Sequence, residues 1–558
     1  MGFSEGTKEL MPIETVPTRI LLDPSTGRDP FALYSTYLTK PDYRLYIHIE
    51  NPSTERIYFG LGQQRTTNNN TTTETHITWR IHQPNSPFTV ECTGQTPIHN
   101  TLPTTPDVGY ISTYQEAVNG PNVINAAGYN PILCTPTGGA GDYFLTLDAT
   151  AIRTFDFFDI TVVDISGATP VAIPGRVFSK CWQIRNPQNG PSWYTFSGNM
   201  YIYSADGIVT KLNPNAFEGR DFSFSCNSSG CYPIDAFHNA QQARQSQPGP
   251  NPHNYPEFKV FLNNPDQYVY PDGIIGHLVD GSVTTQTFCN TGTVNFNFQT
   301  LPVNAVGTVE IDLLLSTLVP PLTNRILITN NVPGGFYSII WDGLDGTGVQ
   351  VPSGSTFPFT LRYTNGLTNM PLWDVENNVN GFIVNLVRPV QVPALADPAF
   401  YWDDILVSGT QLTTAPGCTT PPSTSCHAWS GDWGDTKTIN TWWYLVSNST
   451  ANIALTYKKG PATLVAVNPP TQVCQGGTAT FTVATDPNSS NYHWVWDGGS
   501  QNTTLPTITI TFSTALPGPS TVSVNGVNAD CGAGPVTSIP ITINPLPTVT
   551  IAGPAWFV

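Results

Sequence analysis

Apolar and polar side chains alternate one by one along many short runs of this chain, and this alternation constrains the fold more than any other feature. The clearest runs are RLYIHIE (44–50), TVNFNFQ (293–299) and TATFTVAT (478–485). Because successive side chains of a strand point to opposite faces, each run predicts a strand with one buried face. Turn-forming residues separate the runs, and helical periodicity is nearly absent. We therefore predict an all-β chain of tandem β-sandwich domains.

The composition excludes several classes of protein. Hydrophobic residues make up 39% of the 558 residues, too many for a disordered chain. The formal net charge is −17 at pH 7 with only 22 Lys and Arg, and such a surface repels phosphate, so we predict no nucleic-acid partner. No run approaches the roughly 18 apolar residues that cross a bilayer, so we also predict no membrane span.

The ten cysteines indicate an exported protein. Their even number favours disulfides formed in an oxidising compartment, and the absence of a CxxC pair argues against a zinc ribbon. The first residues, MGFSEGTKEL, contain no apolar signal-peptide core, so we expect that a secretion signal has been cleaved or left off. Many connectivities are open, and the pairs we expect are Cys92–Cys134, Cys226–Cys231, Cys418–Cys426 and Cys181–Cys289.

Composition shifts and proline-rich stretches predict the domain boundaries. We expect β-sandwich domains at residues 1–170 and 171–320. A third, Ig-like domain with an aromatic extension is expected at 321–464 and a fourth domain at 465–545. Residues 546–558 are interpreted as the start of a further repeat.

Residues 465–545 carry the most specific pattern. Cys474 precedes a strand, Trp494 lies in YHWVWDGG, and Cys531 follows SVNGVNAD. This order resembles an immunoglobulin-type sandwich, and the resemblance implies a Cys474–Cys531 disulfide over a buried tryptophan. VAVNPPTQVC (465–474) and ITINPLPTVTIAGPA (541–555) are similar hinge sequences, which indicates tandem repeats of a stalk.

Several longer motifs resemble one family. They are EGTKELMP (5–12), EFKVFLNNPDQYVYPDG (257–273), FYSIIWDGLDGTGVQVPSG (336–354) and INTWWY (439–444). Together they resemble the N-terminal region of giant cell-surface proteins of the Bacteroidota, whose stalks contain Ig-like and PKD-like repeats. The resemblance implies export by the type IX secretion machinery and a non-catalytic adhesin or filament, associated with attachment or gliding motility. It also implies self-association into a fibre.

WDGLDGTGVQVPSG (341–354) is the best candidate for a metal site. An EF-hand loop needs ligands at its first, third and fifth positions and a glutamate at its twelfth, whereas Asp342 and Asp345 occupy the first and fourth. Gly343, Gly346 and Gly348 favour a tight turn with positive φ. We interpret the stretch as a turn and keep both aspartates as weak calcium candidates; no other cofactor is predicted.

No residue pattern predicts catalysis. Asp403 and Asp404 are adjacent, so in a strand they point to opposite faces and cannot flank one glycosidic bond. We expect both to be solvated acids at a loop edge. No HExxH, phosphate-binding loop or nucleophile elbow followed by a helix is present.

Aromatic pairs raise a different possibility, because exposed tryptophans stack on sugars. Trp442 and Trp443 must face opposite ways in a strand, so one is a candidate for an exposed binding surface and the alternative is packing in a core. The leading prediction is an extracellular structural adhesin with a cell-surface or glycan ligand. The alternative is an accessory or calcium-dependent carbohydrate-binding module of a larger secreted hydrolase.

Overall fold

The computed structural model describes residues 5–63, 74–97, 107–190, 192–235, 238–250, 256–390, 397–407, 426–513, 515–550 and 553. Strands dominate these residues, which confirms the predicted all-β class. The α-helices of the described residues are short: α1 (Thr7–Leu10), α2 (Tyr114–Asn119) and α3 (Ala240–Arg244). Within the same residues, no helix has the length and apolarity needed to cross a membrane.

The strands of the first half of the chain are β1 (Glu5–Gly6), β2 (Arg19–Leu22), β3 (Leu45–Ile49), β4 (Glu55–Gln63), β5 (Thr78–Gln83), β6 (Ser86–Gln95), β7 (Ile132–Cys134), β8 (Gly141–Leu147), β9 (Arg153–Asp164), β10 (Val171–Ile173), β11 (Val177–Ser179), β12 (Cys181–Arg185), β13 (Gln188–Asn189), β14 (Ser192–Trp193), β15 (Thr195–Phe196), β16 (Met200–Tyr203), β17 (Val209–Asn213), β18 (Phe217–Glu218), β19 (Asp221–Ser225) and β20 (Lys259–Phe261).

The strands of the second half are β21 (His277–Leu278), β22 (Thr284–Phe288), β23 (Thr293–Leu301), β24 (Val306–Leu313), β25 (Arg325–Pro333), β26 (Gly335–Trp341), β27 (Thr356–Trp373), β28 (Ile383–Arg388), β29 (Ala399–Tyr401), β30 (Thr438–Ser449), β31 (Ile453–Thr456), β32 (Gln472–Cys474), β33 (Thr478–Thr482), β34 (Asn491–Trp496), β35 (Gly499–Thr503), β36 (Thr507–Thr511), β37 (Gly518–Asn528), β38 (Gly532–Ala533) and β39 (Thr537–Asn544).

Two large antiparallel sheets form the first unit. The eight-stranded sheet has the order β19-β12-β2-β9-β4-β7, with β1 and β10 also paired to β9, and the nine-stranded sheet has the order β28-β17-β16-β20-β11-β3-β8-β5-β6. Strand β3 shows the predicted alternation, since Leu45, Ile47 and Ile49 are buried. Ile47 from one sheet and Trp182 from the other belong to the same apolar core.

Strand pairing in this unit does not follow the boundary predicted at residue 170. Ile184 in β12 pairs with Ile20 in β2, so residues on both sides of that boundary are neighbours in one sheet. Residues beyond 320 also enter this unit, because β28 pairs with β17. The predicted boundary marks a local proline- and glycine-rich turn, and long-range strand pairing crosses it.

The middle sandwich follows, and its pairing crosses the second predicted boundary. Its four-stranded sheet contains β21, β22, β23 and β26, and its six-stranded sheet, which we call the middle sheet, has the order β25-β24-β27-β30-β29 with β31 on β27. Ile311 in β24 pairs with Leu327 in β25, so residues before and after 320 share one sheet. Phe296, Trp341 and Phe359 lie in its core.

One long ribbon joins the middle sandwich to the first unit. Strand β27 has 18 residues and pairs with β30 along most of its length. Phe359 near its start lies in the middle core, whereas Met370 near its end lies in the first core. Between them the register shifts at Gly366, whose φ is +68°, a left-handed conformation that glycine adopts without strain. The two cores therefore share a continuous pair of strands.

The last sandwich comprises β32–β39, which pair only among themselves in the described part of the chain. Its core contains the fully buried Trp494, as the immunoglobulin-like pattern predicts. The predicted Cys474–Cys531 disulfide is wrong, because Cys531 is bonded to Cys289 of the middle sandwich with a Cα–Cα distance of 5.7 Å. Cys531 follows β37 at the side that faces the middle sandwich, and Cys474 is exposed at the end of β32.

The remaining cysteine predictions have mixed outcomes. Cys92 and Cys134 form the expected disulfide, which joins β6 in one sheet of the first unit to β7 in the other. Because Cys289 bonds to Cys531, the expected Cys181–Cys289 pair is wrong. The expected Cys226–Cys231 bond is also absent, and both cysteines are buried. Cys418 lies outside the described residues, so its pairing with Cys426 stays a prediction.

An asparagine closes the CNSSGC loop in place of a disulfide. Asn227 Oδ1 accepts hydrogen bonds from the backbone N–H groups of Ser229, at 3.0 Å, and Gly230, at 2.7 Å. The N–H of Cys231 donates to the carbonyl of Ala243 at 2.7 Å, which holds the loop against α3. The short sequence spacing that predicted a disulfide therefore reflects a tight hydrogen-bonded turn.

Buried and half-buried acids lie where the start of the chain packs on β9: Glu5 and Asp159 are buried, and Glu9 is half-buried. The N–H of Glu5 donates to Asp159 Oδ1 at 3.0 Å, and Glu9 accepts hydrogen bonds from Gly6 N and Asn263 Nδ2 at 2.9 and 3.3 Å. Burial raises the pKa of Glu9 to about 8 and that of Asp159 to about 6. Each carboxyl is therefore bound to a proton more tightly in the folded than in the unfolded chain.

These acids predict a loss of stability as the pH rises. A raised carboxyl pKa stabilises the fold below the ordinary value of 4.5, and this contribution is lost as the pH rises towards about 8. Because Glu9 is only half-buried, the variant Glu9→Gln should remove roughly 2 kcal/mol of the stability difference between pH 5 and pH 8, about half of what the full shift would give. Urea unfolding at both pH values measures it, with the exposed Glu50→Gln as control; an unchanged difference in Glu9→Gln would contradict the prediction.

Candidate ligand-binding cleft

The predicted turn at 341–354 uses Asp345 as an internal hydrogen-bond acceptor. Asp345 is 2% exposed. Its Oδ1 accepts from the backbone N–H and hydroxyl of Thr347 and the N–H of Val349, each at 2.8 Å, and its Oδ2 accepts from Thr323 N at 3.2 Å. Burial raises the pKa of Asp345, but these donors outweigh burial and hold the pKa below its ordinary value. Few lone pairs remain for a cation.

Asp342 lies differently in the same turn. Its Oδ1 accepts from Leu344 N at 3.0 Å, and its Oδ2 is 3.9 Å from Arg325 Nη2. Gly343 and Gly348 have the expected positive φ values of 78° and 86°. Gly346 is instead required by close approach, because a Cβ there would lie 2.3 Å from the carbonyl of Asn324. No cluster of three or more potential metal-ligating acids, histidines or cysteines occurs in the described residues.

Asp345→Asn should separate a structural aspartate from a calcium ligand. Loss of the charged acceptor is expected to destabilise the protein by about 1–2 kcal/mol, because buried N–H groups lose a charge-assisted partner. We expect the same loss in millimolar calcium and in EDTA, measured by thermal unfolding, with Asp342→Asn as the exposed control. A destabilisation found only in calcium would show that Asp345 binds the ion.

Trp442 and Trp443 are both buried, so neither is the exposed binding surface for which they were candidates, and the alternative of packing in a core is confirmed. They do face opposite ways, as alternation requires. Trp443 is fully buried and donates its indole N–H to Thr210 Oγ1 at 3.1 Å. Trp442 is 3% exposed and lies on the outer face of the middle sheet, where α3 partly covers it. The Trp442 side chain forms part of the wall of a small cleft.

The cleft lies between α3 and the outer face of the middle sheet. Alternation along β24 puts Val309, Ile311 and Leu313 in the middle core, which leaves Glu310 and Asp312 on the opposite face. The same rule places Arg362 of β27 on that outer face. The cavity measures about 70 Å³ and is lined by Gln241, Arg244, Glu310, Asp312, Ile326, Arg362, Tyr401, Asp403, Trp442 and Tyr444.

A chain of ion pairs crosses the floor of the cleft. Arg244 Nη1 donates to Glu310 Oε2 at 2.7 Å, and both side chains are about 95% buried. Arg362 lies 3.5 Å from Glu310 Oε1 through its Nε and also pairs with Asp312 Oδ2. Burial raises the pKa of Glu310, but Arg244 and Arg362 together outweigh burial and hold the pKa below its ordinary value. Glu310 is therefore ionised and shared by two arginines.

Several buried polar atoms around the cleft have no partner within the described residues. They are Nε and Nη2 of Arg244, Nε1 of Trp442 and Oδ1 of Asp312. Unmade buried hydrogen bonds are uncommon in native proteins, since each costs about 1–3 kcal/mol. Three donors and one acceptor therefore lie unused around one small cavity.

Aromatic rings form the other wall. Tyr401 stacks on Tyr444, with centroids 4.7 Å apart and planes at 11°, and on Trp442, at 6.1 Å and 21°. Arg244 lies 5.2 Å from the centre of the Trp442 ring. Tyr401 is half-buried, so part of its ring is open to a ligand.

The adjacent aspartates have separate roles, and the prediction that both are solvated is wrong. Asp403 and Asp404 are 5% and 3% exposed. Asp403 lines the cleft and accepts from Gln245 Nε2 at 3.2 Å. Asp404 lies in the first unit, where it accepts from Ser246 Oγ at 2.7 Å and lies 3.2 Å from His427 Nε2. Hydrogen bonds compensate their burial, and the two carboxylates do not converge on one site.

Sequence reasoning missed Arg244, Glu310, Arg362 and Tyr401. One signal was available in VEIDL (309–313), where a strand with an apolar core face carries two acids on its other face. An outer face with paired charges predicts either solvent or a covering element. Nothing in the sequence indicates that α3 and β29 supply that cover.

Among known families, one has a model that matches the last sandwich. Residues 460–541 match the family model described as a PKD-like domain. No curated protein matches the chain. The last sandwich is therefore similar to PKD-like domains. Such domains typically serve as non-catalytic extracellular repeats or binding modules.

Solved structures offer only weak likenesses. The fibronectin(III)-like modules of Clostridium thermocellum CbhA are 18% identical, over 15% of this chain and 98% of that chain, with a TM-score of 0.13. The FN1–FN3 domains of chicken CNTN1 are 10% identical, over 49% and 68%, with a TM-score of 0.19. The N-terminal four Ig domains of Dscam1 isoform 9.44 are 11% identical, over 62% and 95%, with a TM-score of 0.14. These scores are too low to carry a functional argument.

Proposed function

We propose that this chain is a non-catalytic structural module of an extracellular adhesin or stalk. The observation that carries the proposal is the Cys289–Cys531 disulfide, which fastens the middle sandwich to the last one. Further contacts support the same junction: Gly460 N donates to the carbonyl of Cys289 at 2.8 Å, and Asn528 Nδ2 donates to the carbonyl of Lys459 at 2.9 Å. A covalently fastened junction suits a protein that transmits force.

The finer parts of the proposal rest on sequence resemblance. The motifs at 5–12, 257–273, 336–354 and 439–444 support export by the type IX secretion route and a place at the surface of a Bacteroidota cell, where the protein mediates attachment or gliding. The PKD-like match at 460–541 is in keeping with a stalk of repeats. The disulfides favour an extracellular location, since such bonds persist in oxidising compartments.

Assembly into a homo-oligomeric fibre is part of the proposal. Strands β25 and β26 each have one partner strand in the described residues and are therefore sheet edges. Strand β26 also exposes Phe336, 84% accessible, and Ile340, 63% accessible. Unpaired edges with exposed apolar side chains favour pairing with another chain.

Light scattering and bead attachment test the function together. The intact chain should self-associate as its concentration rises, and Phe336→Ser combined with Ile340→Ser should weaken association by about tenfold. Beads coated with the chain should attach to bacterial cells more than albumin-coated beads do. A strictly monomeric chain whose beads fail to attach, or release of reducing sugar from a polysaccharide by the purified chain, would contradict the proposal.

The cleft favours a second candidate, a carbohydrate-binding module accessory to a larger secreted hydrolase. Its aromatic wall and its unpartnered polar atoms are features of ligand sites. Both candidates allow a ligand in the cleft.

A further inference from the structure

We propose that the cleft between α3 and the middle sheet binds the hydroxyl-bearing edge of an uncharged sugar residue. The inference rests on the proposed extracellular binding role and names the chemistry of the ligand. It assigns direct contacts to Arg244, Trp442, Asp312 and Tyr401, with no metal ion between protein and sugar.

The unused hydrogen-bonding atoms define the first requirement for the ligand. Arg244 Nε, Arg244 Nη2 and Trp442 Nε1 each need an acceptor, and Asp312 Oδ1 needs a donor. Arg244 and Trp442 are each 3% exposed, so bulk water does not compensate them. A hydroxyl group both accepts and donates. Two neighbouring hydroxyls on one sugar ring could therefore accept hydrogen bonds from Arg244 Nε and Nη2 and donate one to Asp312 Oδ1.

The charge of the cleft defines the second requirement. Arg244 and Arg362 are matched by Glu310 and Asp312 through the ion pairs already described. Asp403 is a third acid in the lining, and the lining contains no further arginine or lysine, so the cleft carries no excess positive charge. The chain as a whole carries −17, which repels anions at long range. With no net positive charge to attract an anion, an uncharged ligand fits better than a carboxylate or a sulfate.

Size and shape define the third requirement. A cavity of about 70 Å³ holds a few water molecules or one edge of a sugar ring, and it is too small for a whole residue. Tyr401 and Gln241 line the cavity and are each half-exposed, so the rest of the ring would lie over them. The flat ring of Tyr401 offers an apolar surface to the C–H face of a pyranose. The hydroxyls would occupy the cavity and offer hydrogen bonds that water could otherwise make there.

Affinity electrophoresis tests the proposal on the intact chain. Gels would contain a soluble neutral β-glucan, a mannan or a galactan, and a parallel gel would contain polygalacturonate. At least one neutral polysaccharide should retard the chain, in EDTA as well as in calcium. Tyr401→Leu should weaken binding by about tenfold through loss of the stacking ring, and Trp442→Phe by about fivefold through loss of the indole N–H.

The matched control is Tyr268→Leu, because Tyr268 is 98% exposed and lies outside the cleft. It should bind like the original chain, and far-ultraviolet circular dichroism should show that all three variants are folded. Retardation by polygalacturonate alone, binding that disappears in EDTA, equal binding by Tyr401→Leu, or no retardation in any neutral gel would overturn the proposal.

The experiments can contradict the sugar site and the structural function independently of each other. Loss of sugar binding with intact self-association in light scattering would remove the sugar site and leave the structural role standing. Sugar binding by a chain that never self-associates and whose beads do not attach would remove the structural role alone.

Discussion

Arg244→Met is expected to destabilise the protein by about 3 kcal/mol, one of the two largest effects that the structure predicts. Removing one partner of a buried ion pair leaves an uncompensated charge, and such losses are about 3–5 kcal/mol. Glu310 is 4% exposed and keeps only Arg362, 3.5 Å away, so the lower end of that range applies. Urea unfolding at pH 7 measures the change.

A double variant distinguishes lost charge from lost packing. Arg244→Met combined with Glu310→Leu should recover most of the loss, because neither partner then remains buried and charged. The deficit of Arg244→Met should also shrink as the pH falls below about 4.5, the ordinary pKa of Glu310. A lowered carboxyl pKa stabilises the fold above that value, and protonation removes the contribution. A double variant as unstable as Arg244→Met would contradict the charge argument.

Replacing Cys289 and Cys531 by serine is expected to lower the free energy of unfolding of the last sandwich by about 2–4 kcal/mol. The mechanical effect should be larger. The cysteines are 242 residues apart, so the disulfide withholds roughly 800 Å of extended chain from a force applied at the two ends. Single-molecule stretching should show this extra extension in the serine variant or after reduction.

The disulfide of the first unit provides a matched control for this experiment. Cys92 and Cys134 are 42 residues apart, so their replacement by serine should release only about 140 Å. Equal extension of the original chain and the Cys289→Ser, Cys531→Ser variant would show that the junction is not fastened covalently in solution. The structural function would then lose its main support.

Local side-chain patterns predicted much of this protein correctly. The alternation in LYIHI places Leu45, Ile47 and Ile49 in a core, and the last sandwich buries Trp494 as its pattern predicts. Alternation also places Trp442 and Trp443 on opposite sides of β30, since Trp443 donates to Thr210 of the first unit whereas Trp442 lines the cleft. These features depend on neighbouring residues along one strand, so the sequence alone carries them.

Strand pairs and disulfides between residues distant along the chain could not be predicted from local patterns. Ile184 pairs with Ile20 across the boundary predicted at residue 170, so the two sides of that boundary share one sheet. Cys531 forms its disulfide with Cys289 and not with Cys474. The burial of Asp403 and Trp442 likewise depends on α3 and β29, which no local pattern places over the middle sheet. Alternation determines which side of a strand is apolar. Only the packing of whole sheets decides which strands are neighbours, which faces are covered and which polar atoms are left around a cleft, because those outcomes depend on contacts between residues far apart in sequence.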